Sequence, residues 1–455
     1  MLKFIMSKRI SNKNHIVNGF KKGRKFIMSL NVGEIIQVKV ESLNYSVNSV
    51  CRIDGFVVFV PYGTPEDTLL VKIVQVKRNY AIAEIVEIIS PSPYRCQPPC
   101  VHFLEGCGGC QWQHVNYKYQ IEWKKDIIRQ ALQRIGKLEH IPEIETYNGD
   151  EQLHYRNKLR LFPASNKMFL GLRKHNTHEV VPIKECLISD HKINTLSHVF
   201  QGNIFSSNST LNELGIRVSS EGLMMLSCLY GRDSSIIESE IDKLSHIPDV
   251  ASIFTSIGSY KPLCKYGFST ITENICGINY RIGLDSFFQV NTYGLKSLIN
   301  ILKNCVGNGN KLILDAHCGV GTFAFQIANL CDTVWGTDVS PSAIELANKN
   351  AIDNGIKNAH FRKGTMAYVL NSELRDEKLD FAILDPPREG CEKADIQALI
   401  QANPKKILYV SCNPTTLARD LYELRDAGYD LIKLAMVDMF PMTYHLETVA
   451  LCIFH

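Results

Sequence analysis

The chain has 455 residues, 45% of them hydrophobic and 21% charged, with a formal net charge of +4. Those values are ordinary for a soluble globular enzyme of about three domains, and the charge is too small on its own to point to a nucleic-acid partner. No apolar run approaches the roughly 18 residues of a membrane span, and no signal-peptide core is visible, so a cytoplasmic protein without a membrane partner is expected.

Residues 1–28 carry eight basic residues and no acid. They could form an RNA-contacting arm, but loose termini are common, and a disordered basic leader is expected. The pentapeptide Lys-Phe-Ile-Met-Ser occurs at both Lys3 and Lys25, without a physical account. Residues 31–90 read as about five short alternating strands. Asp54-Gly55 is a hairpin signal before Phe56-Val57-Val58-Phe59-Val60, and Pro65-Glu66-Asp67 turns the chain again. This pattern suggests a small barrel of the oligonucleotide-binding type. Proline, cysteine and glycine then crowd residues 91–125, Tyr117 to Leu138 reads as helical, and the stretch to residue 285 reads as a middle α+β domain. From Ser286 to His455, strands and helices alternate, the rhythm of a parallel sheet covered by helices.

Chemistry concentrates in that last segment. Asp315-Ala316-His317-Cys318-Gly319-Val320-Gly321-Thr322 lies between a strand and a helix. Its glycines admit a ligand close to backbone, and the helix start offers free N–H groups. Asp338 ends the next strand, where an acid can accept hydrogen bonds from ribose hydroxyls. Ala324 stands where a dinucleotide fingerprint has its third glycine, which suits an adenosyl cofactor without a pyrophosphate. Asp385-Pro386-Pro387-Arg388 follows a strand, and its stiff loop could hold a flat base beside the Asp385 carboxylate. Cys412, in Ser-Cys-Asn-Pro, follows another strand and is placed like a nucleophile, although a buried structural thiol is the usual alternative. Glu447 precedes an apolar strand and is either an edge charge or a base facing the same cleft.

The 15 cysteines, an odd number without an export signal, make a disulfide framework improbable. Cys100, Cys107 and Cys110, with Cys186 downstream, could supply four thiolates to zinc or to an iron–sulfur cluster. Cys96 is near enough to compete as a ligand, and reduced, unligated thiols are the alternative.

Together and in this order, these motifs resemble the bacterial uracil-C5 RNA methyltransferases over residues 31–455, closest in layout to those that act on 23S rRNA. The resemblance implies a multidomain α/β protein: an OB-like TRAM β-barrel at 31–90, an iron–sulfur-bearing middle α+β domain at 91–285, and a Rossmann-like class I methyltransferase domain at 286–455. It implies S-adenosyl-L-methionine as cofactor, with Gln289 (in Phe287-Phe288-Gln289-Val290-Asn291), His317, Gly319, Thr322, Asp338 and Asp385 in contact with it. Cys412 becomes the nucleophile and Glu447 the general base. Cys100, Cys107, Cys110 and Cys186 become ligands of a [4Fe-4S] cluster. The expected partner is RNA, most simply 23S rRNA, bound by a monomer. A tRNA uracil-C5 methyltransferase with the same core is the alternative, and a catalytically inactive RNA-binding protein the second. A flavin–folate route is disfavoured by the adenosyl-type loop.

Overall fold

Strict alternation of buried and exposed residues shapes the N-terminal strands. In the computed structural model β1 (Ile35–Leu43), β2 (Asn48–Ile53), β3 (Phe56–Pro61), β4 (Thr68–Val76) and β5 (Tyr80–Ser90) close into a barrel in the order β1-β2-β3-β5-β4. The structure describes residues 30–148, 151–165, 169–200, 204–205, 209–232 and 238–455, so the expected basic leader lies outside the described residues. Val38, Val40, Cys51, Val58, Val60, Leu69, Val71 and Ile73 point inward and fill the barrel. Asp54 and Gly55 both take positive φ, 49° and 88°, as a two-residue hairpin turn between right-twisted strands requires.

The chain divides into two compact units, the first ending at Tyr119 and the second running from Gln120 to His455. The first holds the barrel and the one-turn helix α1 (Val101–Leu104); α2 (Tyr117–Arg134) spans the boundary.

In the second unit, β6 (Ile144–Asn148) is followed by β7 (Lys158–Pro163), β8 (Leu170–Arg173), β9 (Val180–Pro182), α3 (His191–Phe200), β10 (Leu211–Val218), β11 (Met224–Tyr230), α4 (Glu238–Ser245), β12 (Val250–Ile257) and β13 (Leu263–Gly267). Strands β7 to β13 form one sheet, in the order β13-β12-β11-β10-β7-β8-β9. The hairpin of β14 (Thr270–Ile275) and β15 (Ile278–Gly283) leads to α5 (Thr292–Val306). Next come β16 (Asn310–Ala316), α6 (Thr322–Ile327), β17 (Cys331–Asp338), α7 (Pro341–Asp353), β18 (Ala359–Lys363), α8 (Met366–Asn371) and β19 (Phe381–Leu384). The chain ends with α9 (Lys393–Ala402), β20 (Lys406–Ser411), α10 (Pro414–Asp426), β21 (Tyr429–Asp438) and β22 (Glu447–Phe454).

The second sheet is ordered β18-β17-β16-β19-β20-β22-β21-β6. Its central strands read as continuous apolar runs because helices cover both faces; Phe381, Ala382, Ile383 and Leu384 are all fully buried. Strands β16 to β20 are parallel, as the βαβ rhythm predicts, but β22 is antiparallel to both its neighbours. It inserts between β20 and β21, so its first residue lies at the edge where the parallel strands end. No helix among the described residues is long and apolar enough to cross a membrane.

The turn before β4 is tied down by Asp67. Its fully buried carboxylate accepts from Thr64 N at 2.7 Å and Ser92 N at 2.8 Å, and it pairs with Arg95. Replacing Asp67 by Ala strands the Arg95 charge and two backbone donors. The expected loss is about 3 kcal/mol, read as a lower urea midpoint, with Asp67→Asn recovering part of it.

Candidate active site

Parallel strands deliver their C-terminal ends to one edge, and the register shows which residues meet there. Ala316 pairs with Thr337 on one side and Leu384 on the other, Leu384 with Tyr409, and Ser411 with Thr448. The residues one step beyond these pairs are Asp338, Asp385, Cys412 and, entering the antiparallel strand, Glu447. Four motifs spread over 110 residues of sequence thus occupy successive positions along one sheet edge.

The loop after β16 is built to approach a ligand. His317, Gly319 and Gly321 all take positive φ, 62°, 55° and 88°. A side chain at Gly319 would meet no atom within 4 Å, so this backbone borders open space. Asp315 accepts from Ala324 N at 2.8 Å through one oxygen, while its other oxygen and His317 Nδ1 are buried and have no hydrogen-bond partner among the described residues. Asp338 accepts from Gly319 N at 3.0 Å and Ser340 N at 2.8 Å, which fixes its carboxylate beside the loop. Thr322 opens α6, with Gly321 as its N-cap. Gln289 is buried just before Asn291, whose side chain caps α5 by accepting from Gly294 N at 3.0 Å. A carboxylate held for hydroxyls, an open glycine backbone and two orphaned buried polar atoms fit an adenosyl group.

The candidate groups at this edge share one electrostatic environment. Burial raises the Asp385 carboxyl to about 7. Glu447 is pushed well above the usual carboxylate range, by burial first and by Asp385 second, against the opposing pull of Arg388. Burial, then Glu447, raise the Cys412 thiol to about 12, again against Arg388. The sites titrate as a set.

Some of the machinery carries no sequence signal. Lys124 of α2 is fully buried and donates to Asp438 at 2.7 Å and to Phe440 O at 3.2 Å. From the same helix Gln120 accepts from Met442 N at 3.1 Å. Tyr155 donates to Pro441 O at 3.0 Å, and Asn291 Nδ2 donates to Met439 O at 3.0 Å. The backbone of the loop from Met439 to Met442 is therefore held by side chains from three other places in the unit, and that loop feeds His445 and Glu447 into the edge. Arg388 sat in view within Asp-Pro-Pro-Arg, but its influence on both Cys412 and Glu447 needed the structure.

The chain and its fold have counterparts among known proteins. The profile of the tRNA (Uracil-5-)-methyltransferase family matches residues 116–453. The chain belongs to that family. A TRAM-domain profile matches residues 29–86, over the barrel. An uncharacterized RNA methyltransferase of Caldanaerobacter subterraneus is 33% identical over 453 residues, covering 92% of this chain and 98% of its own. Another from Porphyromonas gingivalis is 33% identical over 464 residues, covering 91% and 99%. The crystal structure of the Pyrococcus abyssi tRNA (uracil-54, C5)-methyltransferase with S-adenosyl-L-homocysteine is 26% identical, covers 92% of this chain and 100% of its own, and superposes with a TM-score of 0.73. The protein is an S-adenosylmethionine-dependent RNA (uracil-C5) methyltransferase with a TRAM-like barrel and a Rossmann-like class I core.

Two expectations are corrected. The 23S rRNA assignment gives way, because the matching family profile and the Pyrococcus structure both describe tRNA uracil-C5 enzymes. The [4Fe-4S] cluster, and with it any role for Cys100, Cys107, Cys110 and Cys186 as metal ligands, is not supported: among the described residues no group of three or more His, Cys, Asp or Glu is placed to hold a metal ion. Cys100, Cys107 and Cys110 are buried in the first unit, and Cys186 belongs to the second.

Two predictions follow from this geometry. Lys124→Met leaves Asp438 buried and uncompensated, so the protein loses about 3–5 kcal/mol of stability, seen as a lower Tm. The double replacement Lys124→Met/Asp438→Leu restores most of the Tm but not the methylation rate, because Asp438 also accepts from Phe440 N at 3.3 Å. The second concerns Asp385. Its folded pKa of about 7 lies above its ordinary 3.8. Its neutral form is therefore favoured by folding, and stability is fully present below about pH 4 and lost as pH rises through about 7. The loss is complete above about pH 8. Asp385→Asn removes this burden, so its Tm exceeds that of the wild type at pH 8 and matches it near pH 4, while its activity falls.

Proposed function

We propose that this enzyme methylates C5 of a uracil in tRNA through a covalent adduct between Cys412 and C6 of the base. The observation that carries the proposal is the β20–β22 register, which sets Cys412 and Glu447 on adjacent strands at the edge that also bears the glycine loop. The tRNA substrate is supported by the family description and by the Pyrococcus enzyme's stated substrate.

C5 of uracil is a weak carbon nucleophile. Attack of the Cys412 sulfur on C6 moves the ring electrons toward C5 and O4 as an enolate, dividing one hard step into easier ones. Bound S-adenosylmethionine supplies an electrophilic methyl group, held through Gln289, His317, Gly319, Thr322, Asp338 and Asp385. Once C5 carries the methyl, the Glu447 carboxylate takes the C5 proton, the C6–S bond breaks, and the C5–C6 double bond returns as sulfur leaves with its electrons. The thiol's position near 12 means that the resting group is protonated. Its proton must leave to solvent as the base arrives, which keeps the Glu447 carboxylate free for the C5 proton. The target base leaves its stack to enter the cleft, at a cost of a few kcal/mol. A tRNA substrate supports a cytoplasmic setting.

The test is covalent trapping. With S-adenosylmethionine and 5-fluorouracil-substituted tRNA, the enzyme gives a stable protein–RNA band, since fluorine cannot leave C5 as a proton. Cys412→Ala gives none, and Glu447→Gln accumulates the band with ordinary tRNA. A band formed with rRNA fragments but not with tRNA overturns the substrate; a band that survives Cys412→Ala overturns the nucleophile.

A further inference from the structure

We propose that the outer edge of the seven-stranded sheet, from Tyr260 to Phe268, is a second RNA-contacting surface that stacks unpaired bases on exposed aromatic rings. Isolated exposed apolar residues are normal on a protein surface, whereas a cluster of them marks an interaction site. Here four crowd into nine residues: Tyr260 is 77% exposed, Leu263 64%, Tyr266 42% and Phe268 73%. Lys261 and Lys265 stand among them, both exposed; residues 259–268 contain no acid, and Lys265 pairs with Glu238 of α4 at 3.5 Å, an exposed ion pair that a phosphate can displace. Aromatic rings interleaved with lysines on an outward face match what a single strand of nucleic acid needs, namely flat surfaces for bases and positive charge for phosphates.

The platform is fixed rather than loose. Strand β13 pairs antiparallel with β12, and Phe268 N donates to Ala251 O at 3.2 Å. Gly267, at φ 73°, lets the strand approach so closely that a Cβ there would sit 1.8 Å from Ala251 O. At the other end Tyr260 is presented by a turn in which its N–H donates to Ile257 O at 3.1 Å.

A bare sheet edge could instead recruit a strand from a second copy of the chain. Three features oppose that. The pairing of β13 with β12 slips between Tyr266 and Cys264, leaving Lys265 as a bulge; two lysines lie on the edge; and Pro262 precedes the strand. Bulges, lysines and proline are the devices by which edge strands avoid strand addition. They block a strand and leave the ring faces available to bases. The proposal rests on RNA as the substrate and not on which RNA it is.

The experiment uses the full chain and two fluorescein-labelled probes, a single-stranded RNA of about 12 nucleotides and the same sequence as a blunt duplex. Tyr260→Ala/Phe268→Ala weakens binding of the single strand by about 30-fold and leaves duplex binding unchanged. Its single-turnover methylation rate at saturating tRNA equals that of the wild type, while KM rises. Lys261→Ala/Lys265→Ala lowers the slope of log affinity against log salt by about 1.4, as two lost phosphate contacts to a single strand require. Single-strand affinity unchanged in both variants overturns the proposal. So does a wild type that sediments as a dimer when Tyr260→Ala/Phe268→Ala is a monomer, which assigns the edge to a second copy. Loss of Cys412-dependent trapping with this edge intact is a failure of the catalytic reading and leaves the binding assay to stand separately.

Discussion

A lysine ammonium without solvent must be matched by an anion and by further hydrogen bonds, or the fold does not tolerate it. Lys124 meets that condition with the Asp438 carboxylate and the Phe440 carbonyl. The consequence reaches well beyond the pair. Asp438 is the last residue of β21 and Glu447 the first of β22, so the ion pair fixes one end of the loop whose other end supplies an acid to the cleft. Gln120, Tyr155 and Asn291 bind the backbone at Met442, Pro441 and Met439, which removes the remaining freedom of its first half. The antiparallel return of β22 into a parallel sheet needs this stiffness, because a slip of one residue would turn Glu447 to the opposite face.

Once the edge is set, burial raises four of the acidic groups along it. Asp315, Asp385 and Glu447 are all raised, each by desolvation first, and Cys412 likewise. Arg388 is the cation that opposes the trend at Cys412 and Glu447. His445 does not join it, since burial lowers its pKa to about 3 and keeps the ring neutral. The cleft therefore holds carboxyls and a thiol whose protons burial makes harder to release.

Much of this was legible in the sequence, for reasons that are local. A glycine-bearing loop between an apolar strand and a helix, an acid ending the next strand, Asp-Pro-Pro-Arg and Ser-Cys-Asn-Pro each announce a strand end by composition. Parallel topology then collects strand ends at one edge. What local pattern could not convey is pairing between distant segments. Strand β6 precedes the seven-stranded sheet in sequence yet completes the catalytic sheet by pairing with β21, and nothing in Ile-Glu-Thr-Tyr-Asn records that partner. Lys124 reads as one more solvated charge on an amphipathic helix, because its burial depends on Asp438, more than 300 positions away. The cysteine reading failed for the complementary reason. Spacing can place two thiols on one turn, but convergence of Cys186 with the other three is a property of tertiary structure, and no such group occurs among the described residues.

In the proposed mechanism the paired acids would let one cleft perform two opposed proton tasks. Two buried carboxylates, both raised by burial and Glu447 raised further by Asp385, resist being ionised together, so the pair carries one negative charge and one proton over a broad range. The proton can be donated toward a uracil oxygen as negative charge develops in the enolate, and the charge can accept the proton that leaves C5. Exposed acids would both be ionised and would repel an enolate; a single buried acid would offer one function and lack the other. Burial of the pair costs stability above neutrality, and the cost falls where activity needs it, at the edge that Lys124 and Asp438 hold in place.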